Sequence, residues 1–590
     1  MSISVSKRKY NGFPEEKSIL LFALLGMSGM AMAQPDAGTL LNQQQRQQQQ
    51  KLPERLPETD LEQIRPALKS VPGEKVLIKS IRFTGATKLA PETELQEVVK
   101  DAIGKELDFS GLSQMVQKVT QHLHDRGWLL AEAYLPRQDV TEGVIEIVIR
   151  EGRLDTKGGG YRVRQTGMLE LLIDPERLKA IAVAAQPADE PLRKENLERA
   201  VLLMNDLPGI TAKASMQPGK TPGTTSIVID AKEGAMLTGG AWLDNNGNRD
   251  TGAIQYNVAA QANAPLRMGD QFTINYTHAE GLDLGMLGYS VSLGDRGLKL
   301  GGFVSRMEYD IIRGVGKDAG LNGTSTTSGL NVSYPFIRTR DTNLYGSVGY
   351  TNKKLIDDST AGKIRDRELN QLGVTLSGNH FDTIGGGGMT GWNVGLTQGD
   401  VDLSDSPTDE QNDALAYRTQ GSFNKLSFGV LRLQQLRNRL TFYGNLTGQY
   451  AGNNLDSSEK FILGGPNGVR AYPGSEGLGD SGVLANMELR YDIPGNAQWG
   501  DFQLVGFYDV GRINLHKESN GIPISTATNR NEYSLSGWGM GATLSKSGSH
   551  MLRLVWAQKI GDNPGRSVSG MDADDKNDRS RLWAQAMLWF

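Results

Sequence analysis

Cysteine is absent from all 590 residues of the chain. Its absence excludes a disulfide-stabilised scaffold, a thiolate metal site and a cysteine nucleophile, and it suits a compartment in which free thiols would be oxidised. A bias toward one sign of charge is also missing, because 63 Lys and Arg stand against 67 Asp and Glu. Nucleic acid is therefore not expected as a partner. A mean hydropathy of −0.39 argues against a protein built from many transmembrane helices.

Residues 1–33 have the organisation of a secretory signal peptide. Basic residues at positions 7–9 precede an apolar run over 19–33, which ends in Ala-Met-Ala before Gln34. The run is shorter than the roughly 20 residues that a transmembrane helix needs, and small residues two positions apart mark a cleavage site. We expect cleavage before Gln34 and export of the remaining chain, with a retained anchor helix as the less favoured alternative.

Residues 34–74 contain little that could form an apolar core. The segment 34–50 is compatible with a helix and is rich in glutamine. Two interpretations are open: a polar helix inside a wet cavity, or a disordered low-complexity segment. Residues 51–74 carry four prolines and are predicted to form an extended linker.

Two consecutive segments, 75–151 and 152–234, show the same order of predicted elements: strand, helix, helix, strand, strand. In the first segment, apolar residues recur at helical spacing over 95–102 and 112–123, and two β-rich runs follow. The second segment repeats this order, with its first helix beginning at Pro175. A small α+β unit of about 75 to 80 residues, present twice, is the simplest interpretation.

Glycine is unevenly distributed, with 19 of the 72 glycines in residues 1–236 and 53 in residues 237–590. In this second part, short runs of alternating polar and apolar residues are separated by Gly, Asn and Asp turns, which indicates strands with two different faces. We therefore predict an all-β transmembrane barrel over 235–590. At about 22 residues per strand and connection, sixteen antiparallel strands are expected, although fourteen or eighteen would also fit.

The last ten residues, 581–590, alternate apolar side chains and finish on Phe590. A final strand that ends on an aromatic residue resembles the insertion signal of bacterial outer-membrane barrels, and we assign that role to Phe590. Trp583 and Trp589 are expected near the two aromatic girdles at the membrane surfaces.

Two short motifs in the predicted barrel are more specific. Residues 464–473 read GGPNGVRAYP, and residues 507–511 read FYDVG. The first resembles the VRG(Y/F) loop motif and the second the FxDxG strand motif of the Omp85 superfamily of outer-membrane assembly and secretion proteins. Since the two α+β units also look like polypeptide-transport-associated (POTRA) domains, the chain from about residue 37 to 590 resembles a two-partner secretion transporter of the haemolysin secretion/activation type.

The resemblance implies roles for particular residues. The loop motif consists of Gly468, Val469, Arg470, Ala471 and Tyr472. The strand motif consists of Phe507, Asp509 and Gly511. By resemblance, Arg470 pairs with Asp509 and holds the loop inside the barrel, where limited water strengthens a bidentate pair. Ala471 departs from the family motif, which usually has glycine at this position.

The resemblance also implies a client protein and a route for it. Docking by main-chain pairing with an exposed edge strand is predicted at Leu130, Ala131, Ala133 and Leu135. The glutamine-rich segment would plug the lumen at rest and leave during transport. The implied partners are a secreted exoprotein (haemolysin, adhesin, contact-dependent toxin or haem-scavenging protein), outer-membrane lipid, periplasmic chaperones and the barrel assembly machinery.

The predicted function is secretion of a large exoprotein across the outer membrane of a Gram-negative bacterium, without nucleotide and with the POTRA-like units in the periplasm. A barrel assembly insertase of the same superfamily and a passive porin or receptor are the alternatives. The sequence has no P-loop, nucleophile elbow or histidine-rich metal motif, so enzymatic activity, a metal and a cofactor are not expected. The acidic run at 572–578 lacks calcium-loop spacing and is expected to be a solvated surface loop.

Overall fold

The computed structural model describes residues 35–48, 75–156, 160–168, 170–221, 224–519, 522, 524 and 526–590. The predicted signal peptide (1–33) and linker (51–74) lie outside the described residues. Within the described residues, no helix is both long enough and apolar enough to cross a membrane.

The chain begins with a single helix, α1 (Ala37–Gln48), in the glutamine-rich segment. Asp36 caps its first turn, since the Thr39 amide donates to Asp36 Oδ1 at 2.8 Å. Only Ala37, Leu40 and Leu41 offer apolar surface, and all three are buried. A helix of this composition has little reason to be stable alone in water, so its surroundings must stabilise it.

The first α+β unit follows the order predicted from the sequence. Its elements are β1 (Val76–Leu77), β2 (Ser80–Gly85), α2 (Glu92–Val99), β3 (Glu106–Leu107), α3 (Phe109–Asp125), β4 (Glu132–Tyr134) and β5 (Val144–Arg150). The main sheet has the order β2-β5-β4, with β2 parallel and β4 antiparallel to β5. The helices bury the apolar stripe that their spacing predicts, and the side chain of Asp108 caps α3.

The second α+β unit has the same arrangement. Its elements are β6 (Arg153–Leu154), β7 (Tyr161–Gln165), α4 (Pro175–Ala185), α5 (Lys194–Asn205), β8 (Ile210–Pro218) and β9 (Thr224–Glu233). Strands β6 and β7 are parallel to β9, and β8 is antiparallel to it. Apolar residues of both helices and the inner sheet face form one core.

Sixteen antiparallel strands form a closed barrel, as the sequence predicts. The first eleven are β10 (Leu237–Asp244), β11 (Gln255–Asn263), β12 (Asp270–Ala279), β13 (Leu282–Leu293), β14 (Leu298–Asp310), β15 (Asn322–Arg338), β16 (Thr342–Ser359), β17 (Gly362–Asp382), β18 (Gly388–Asp402), β19 (Gly421–Arg437) and β20 (Leu440–Ala451). A short pair, β21 (Phe461–Ile462) and β22 (Leu478–Gly479), lies in the next connection. The last five are β23 (Ser481–Asn496), β24 (Gly500–Asn514), β25 (Glu532–Lys546), β26 (His550–Lys559) and β27 (Ser580–Trp589).

The alternation in the barrel strands separates two environments. On β12, Phe272, Ile274 and Tyr276 point outward and are exposed, whereas Thr273 and Thr277 point inward and are buried. An apolar exterior and a polar interior are what a lipid-embedded barrel requires. Two helices, α6 (Gly314–Asp318) and α7 (Pro407–Leu415), lie in connections at the end of the barrel opposite the α+β units, which we call the distal end.

Strand β27 closes the barrel against β10 through five residue pairs. The main chains of Phe590 and Gly239 extend this seam by exchanging two hydrogen bonds of 3.0 Å. The prediction for Trp583 was wrong: its ring is buried inside the barrel instead of lying at a membrane surface. Leu582 and Leu588 of β27 are both exposed and are an even number of positions apart, so strand alternation turns the odd-numbered positions, including Trp583, inward.

The second α+β unit packs directly on the near, or proximal, end of the barrel. Arg338 makes a bidentate pair with Asp206, at 2.7 and 2.9 Å. Lys299 donates to the main-chain oxygen of the same aspartate at 2.9 Å, and Arg199 donates to Pro335 O. The second unit therefore lies at the proximal mouth.

Candidate functional site in the barrel lumen

The connection between β20 and β23, residues 452–480, folds back into the barrel, and we call it the lumen loop. Its residues are mostly buried, although no regular secondary structure exists there beyond β21 and β22. Leu463, Val469, Ala471 and Tyr472 have no exposed surface and form a cluster with apolar side chains of β24 to β27. The cluster fixes the loop to one side of the barrel wall.

Arg470 is the charged centre of this attachment. Its Nε and Nη2 donate to the two oxygens of Asp509 at 2.9 and 2.7 Å, and its Nη1 donates to Glu488 Oε1 at 2.6 Å. The guanidinium lies 3.5 Å from the centre of the Phe507 ring. Arg490 pairs with the other oxygen of Glu488. Every charge in the group thus has a partner within hydrogen-bond distance.

Two uncharged residues complete the geometry. Asn486 donates to Gly468 O at 3.0 Å and to Asp509 Oδ1 at 2.8 Å. The indole of Trp583 donates to Arg470 O at 2.8 Å. The loop motif is therefore held by its main chain as well as by its guanidinium.

Two glycines of the barrel wall, Gly511 of the strand motif and Gly537 of β25, allow the lumen loop to pack closely on the strands. A Cβ at Gly511 would lie 2.2 Å from Leu463 Cδ1, and one at Gly537 would lie 2.7 Å from Ala471 Cβ. Glycine at these wall positions lets the lumen loop lie flat on the strands. Six described non-glycine residues have positive φ, and Ala471 is not among them, so alanine is compatible with the backbone at this departure from the family motif.

Helix α1 lies between the lumen loop and the opposite wall, and its N-terminus is held by charge. Arg367 on β17 contacts three carboxylates: Asp36 at 3.0 Å, Asp357 at 2.7 Å and Asp456 of the lumen loop at 2.7 Å. Arg365 contacts Asp36 at 3.2 Å. A single guanidinium thus joins the helix, the wall and the loop, and we call these residues the plug anchor.

The rest of α1 is held by hydrogen bonds to main-chain oxygens, one of which comes from the Arg46 guanidinium. Asn42 donates to Lys460 O at 3.0 Å, and Gln47 donates to Asn246 O at 2.8 Å. Arg46 donates to Ile462 O, and Asn467 donates to Arg46 O at 3.1 Å. The glutamine-rich composition therefore supplies amide groups that fit a polar lumen.

A second ion cluster holds the lumen loop without involving α1. Glu459 receives Lys353 on one oxygen at 2.8 Å and Lys425 on the other at 2.6 Å, and all three side chains are fully buried. Lys460 pairs with Asp480 at 2.8 Å. Because removal of one partner would leave an uncompensated buried charge, this cluster strongly favours the seated loop.

The distal connection between β26 and β27 covers the lumen loop from outside. Glu476 accepts from Asn563 Nδ2 and from the Ala573 amide, both at 2.8 Å. Burial, reinforced by the neighbouring Asp572 carboxylate, raises the pKa of Glu476 to about 7. The prediction of a solvated acidic run was wrong for Asp572 and Asp574, which are buried because Lys559 and Arg581 pair with them.

A cavity of about 630 Å³ remains on the proximal side of the loop motif. Gln44 and Gln47 of α1, Arg470, Trp242 and Phe590 are among the residues that line it. The cavity therefore reaches from the seam of the barrel to the loop motif.

Three of the four predicted docking residues of the first unit have buried side chains. Leu130 packs in the core of the second unit, and Ala131 and Ala133 pack in the core of the first. Leu135 is partly buried against that core. β4 is an edge strand, so a client at this strand would have to pair with its main chain. Docking there stays a prediction.

Sequence reasoning did not single out Arg367, Glu459 or Glu476. The available signal was a charged residue on the inward-facing side of a barrel strand, as at Lys353, which lies between Thr351 and Leu355 on that face, and at Arg365 and Arg367. An ionisable group facing a barrel interior indicates a specific partner. The sequence does not show which partner it is.

Comparisons with known proteins agree with this geometry. Residues 223–544 match the family described as haemolysin secretion/activation protein ShlB/FhaC/HecB. Residues 76–152 match the POTRA domain, ShlB-type.

Relatives match along most of the chain. The Heme/hemopexin transporter protein HuxB of Haemophilus influenzae (strain 86-028NP) is 24% identical, over 97% of this chain and 98% of its own. The Outer membrane transporter CdiB of Dickeya dadantii (strain 3937) is 25% identical, over 75% and 77%. In fold, CdiB from Escherichia coli superposes with a TM-score of 0.69 at 20% identity, covering 95% of this chain and all of that one.

The family's chains are transporters whose barrels lie in the outer membrane and whose N-terminal POTRA domains lie in the periplasm. The proximal end described above is therefore periplasmic, and the distal end faces the cell exterior. This chain belongs to the haemolysin secretion/activation family ShlB/FhaC/HecB, the outer-membrane transporters of two-partner secretion.

Proposed function

We propose that the protein exports one large exoprotein through its barrel to the cell surface, and that α1 and the lumen loop close the barrel at rest. The observation that carries the proposal is a lumen filled by two segments of the same chain. Most other inward-facing groups are uncharged polar side chains, including Asn257, Gln261, Thr273, Asn331 and Thr397. Such a lining can exchange hydrogen bonds with an unfolded chain of any sequence.

The client is proposed to be an exoprotein of the haem-acquisition type. The support is the match to the Heme/hemopexin transporter protein HuxB, which extends over almost the whole of both chains. A contact-dependent toxin is the second candidate, supported by the CdiB relatives.

The client would enter from the POTRA units. The second unit lies at the periplasmic mouth, and Trp128 of the first stacks on Arg193 of the second at 4.6 Å, so the two are joined. Pairing of an extended client with the main chain of β4 would deliver it beside the cavity below the loop motif. We propose periplasmic chaperones, outer-membrane lipid and the barrel assembly machinery as the further partners.

The test is secretion of the large exported protein encoded beside this one, in cells with and without the transporter. We expect the client in the medium only when the transporter is present in the outer membrane. A client retained in the periplasm beside correctly inserted transporter would contradict the pairing.

The same cells test the insertase alternative. The rates at which other outer-membrane barrels appear would be followed with and without the transporter. Unchanged rates are expected for a transporter, and a general delay without it would favour an insertase.

A further inference from the structure

The charged group around Arg470 contains one guanidinium more than its carboxylates can hold. Both oxygens of Asp509 accept from Arg470. The two oxygens of Glu488 are divided between Arg470 and Arg490. Arg553 interacts electrostatically with the same group, yet it makes neither an ion pair nor a side-chain hydrogen bond with any described residue. Its donors are therefore available to a ligand.

Arg553 faces the cavity on the proximal side of the loop motif. Its neighbours on β26, Leu552 and Leu554, are exposed on the outer surface of the barrel, so strand alternation turns Arg553 inward. Its side chain is among those that line the cavity. A guanidinium without a carboxylate in a place of limited water favours a negatively charged ligand.

A carboxylate without a cation lines the same cavity. Asp244 of β10 accepts from the Asn246 amide at 2.9 Å and from Asn257 Nδ2 at 3.2 Å, and it makes no ion pair with the described part of the chain. Gln585 of β27 is the cross-strand partner of Asp244 on one side and of Arg553 on the other. The two charged residues therefore lie on one row of the wall, with backbones roughly 10 Å apart.

The rest of the lining fits an extended peptide. The amides of Gln44, Gln47 and Gln261 can exchange hydrogen bonds with a main chain, and Trp242 and Met587 offer contact to apolar side chains. A zwitterionic phospholipid headgroup also has two charges, but its acyl chains need a continuous apolar lining, which these amides interrupt.

We propose that Arg553 and Asp244 together hold one extended segment of the client, with Arg553 binding an acidic side chain and Asp244 a basic one. The inference rests on the proposed function, and it adds a charge pattern that the client carries. The acidic and the basic side chain would stand about two to four positions apart, because an extended chain advances about 3.3 Å per residue.

Binding of short glycine-serine peptides to the full-length transporter in lipid nanodiscs tests the site. The peptides carry a neutral dye and have one Glu and one Lys, Glu alone, Lys alone, or Gln at both positions. By fluorescence anisotropy, we expect native protein to bind the Glu/Lys peptide about tenfold more tightly than the Gln peptide. Equal affinity for all four peptides would overturn the proposal.

Single substitutions assign each half of the preference. R553Q should lose the gain from Glu and keep the gain from Lys, and D244N should do the reverse. Because neither residue makes an ion pair, neither change leaves a buried charge uncompensated. R553K, which keeps the charge but loses the fork, should retain part of the gain from Glu.

R512Q is the matched control, because the pair that Arg512 makes with Glu532 is exposed. R512Q should bind the four peptides as native protein does. A preference for Glu that survives in R553Q would overturn the proposal.

The same assay tests the phospholipid alternative. Dihexanoyl-phosphatidylethanolamine, which carries both charges, is the competitor. If it binds native protein and not R553Q, while the four peptides bind equally, the site belongs to a lipid headgroup and the proposal is overturned.

Secretion separates this inference from the proposed function. We expect the double variant R553Q/D244N to release the client about threefold more slowly than native protein at equal amounts in the outer membrane. If the peptides discriminate but native cells release no client, the proposed function fails for that client and the site stands. If native cells secrete and the double variant secretes at the same rate, the inference fails and the proposed function stands.

Discussion

The lumen loop and α1 occupy the same barrel, yet their charged attachments are built differently. Around Arg470, three guanidinium groups (Arg470, Arg490 and Arg553) interact with two carboxylates, Asp509 and Glu488. Around Arg367, two guanidinium groups (Arg365 and Arg367) serve four carboxylates: Asp36, Asp357, Asp456 and Asp409 of α7. At the first site Asp509 and Glu488 share Arg470, and Glu488 also pairs with Arg490, whereas at the second site Asp36 shares Arg367 with Asp357 and Asp456. The difference indicates that one attachment has a surplus of cations and the other a surplus of carboxylates, so the two should respond differently when one arginine is removed.

Replacing Arg470 with alanine should have the largest effect on this contrast. Asp509 and Glu488 would stay buried without their shared cation, and breaking such a pair costs about 3–5 kcal/mol. We expect the client in the medium to fall at least about tenfold while the transporter still reaches the outer membrane. R512A is the matched control, because Arg512 lies on β24 with Asp509 and its pair with Glu532 is exposed. Equal secretion by the two variants would show that the loop needs no charged attachment.

The second-largest effect is expected for Arg367→Gln. It should destabilise the bound positions of α1 and the first part of the lumen loop by about 2–4 kcal/mol in total. Asp36, Asp357 and Asp456 lose their common cation, so we expect larger and longer channel openings in planar bilayers. R365Q, whose side chain is partly exposed, should do the same more weakly. Openings of the same length as in native protein would show that α1 is held by its other hydrogen bonds alone.

A change of pH should act at the outer cover, through Glu476. Because the pKa of Glu476 is raised from 4.5 to about 7, the folded protein binds a proton there that the unfolded chain does not bind at neutral pH. The stability from this group is therefore present at low pH and is lost as pH rises toward 7 and beyond. Between pH 6 and pH 8 the contact with the 560–579 connection should weaken by about 1 kcal/mol.

Hydrogen exchange around Ala573 measures this contact. E476Q, compared with native protein at each pH, is the control for the intrinsic pH dependence of exchange. We expect protection in E476Q to stay constant where protection in native protein falls. Identical pH profiles would place the change at another group.

Trp583→Phe should have the smallest effect. The ring stays in the cluster, and only the hydrogen bond to Arg470 O is lost, which is worth at most about 1 kcal/mol. A small fall in the temperature at which the barrel loses its folded mobility in detergent gels would measure it, with W538F on the outer surface as control. A loss as large as that of R470A would mean that the loop is held mainly by its main chain.

Local patterns were enough to predict most elements of the fold. The spacing of Leu112, Met115, Val116 and Val119 predicts α3, and the alternation in β12 predicts a strand with one face in lipid, because each pattern depends on neighbouring residues only. The two motifs brought Arg470 and Asp509 together through a family resemblance. Ala471, which departs from that motif, needed the backbone geometry to be understood.

The features that sequence reasoning missed depend on register and on distant pairing. Trp583 was assigned to the wrong environment because a shift of one position along a strand reverses inside and outside. Arg367 and Asp456 are 89 positions apart, and nothing local in either segment indicates the other. The plug anchor exists only after β16, β17, the lumen loop and α1 have met.

That dependence has a consequence for assembly. The Ala37 amide bonds to Asp357, 320 positions later, and Ser457, 421 positions later than Asp36, bonds to its carboxylate. Contacts of such long range form late in folding, and the seam between β10 and β27 must close before there is a lumen to fill. We therefore expect each newly inserted molecule to have an open lumen until α1 and the lumen loop enter it. In cells that make the protein quickly, the permeability of the outer membrane should rise with the rate of synthesis, independently of the number of fully folded molecules.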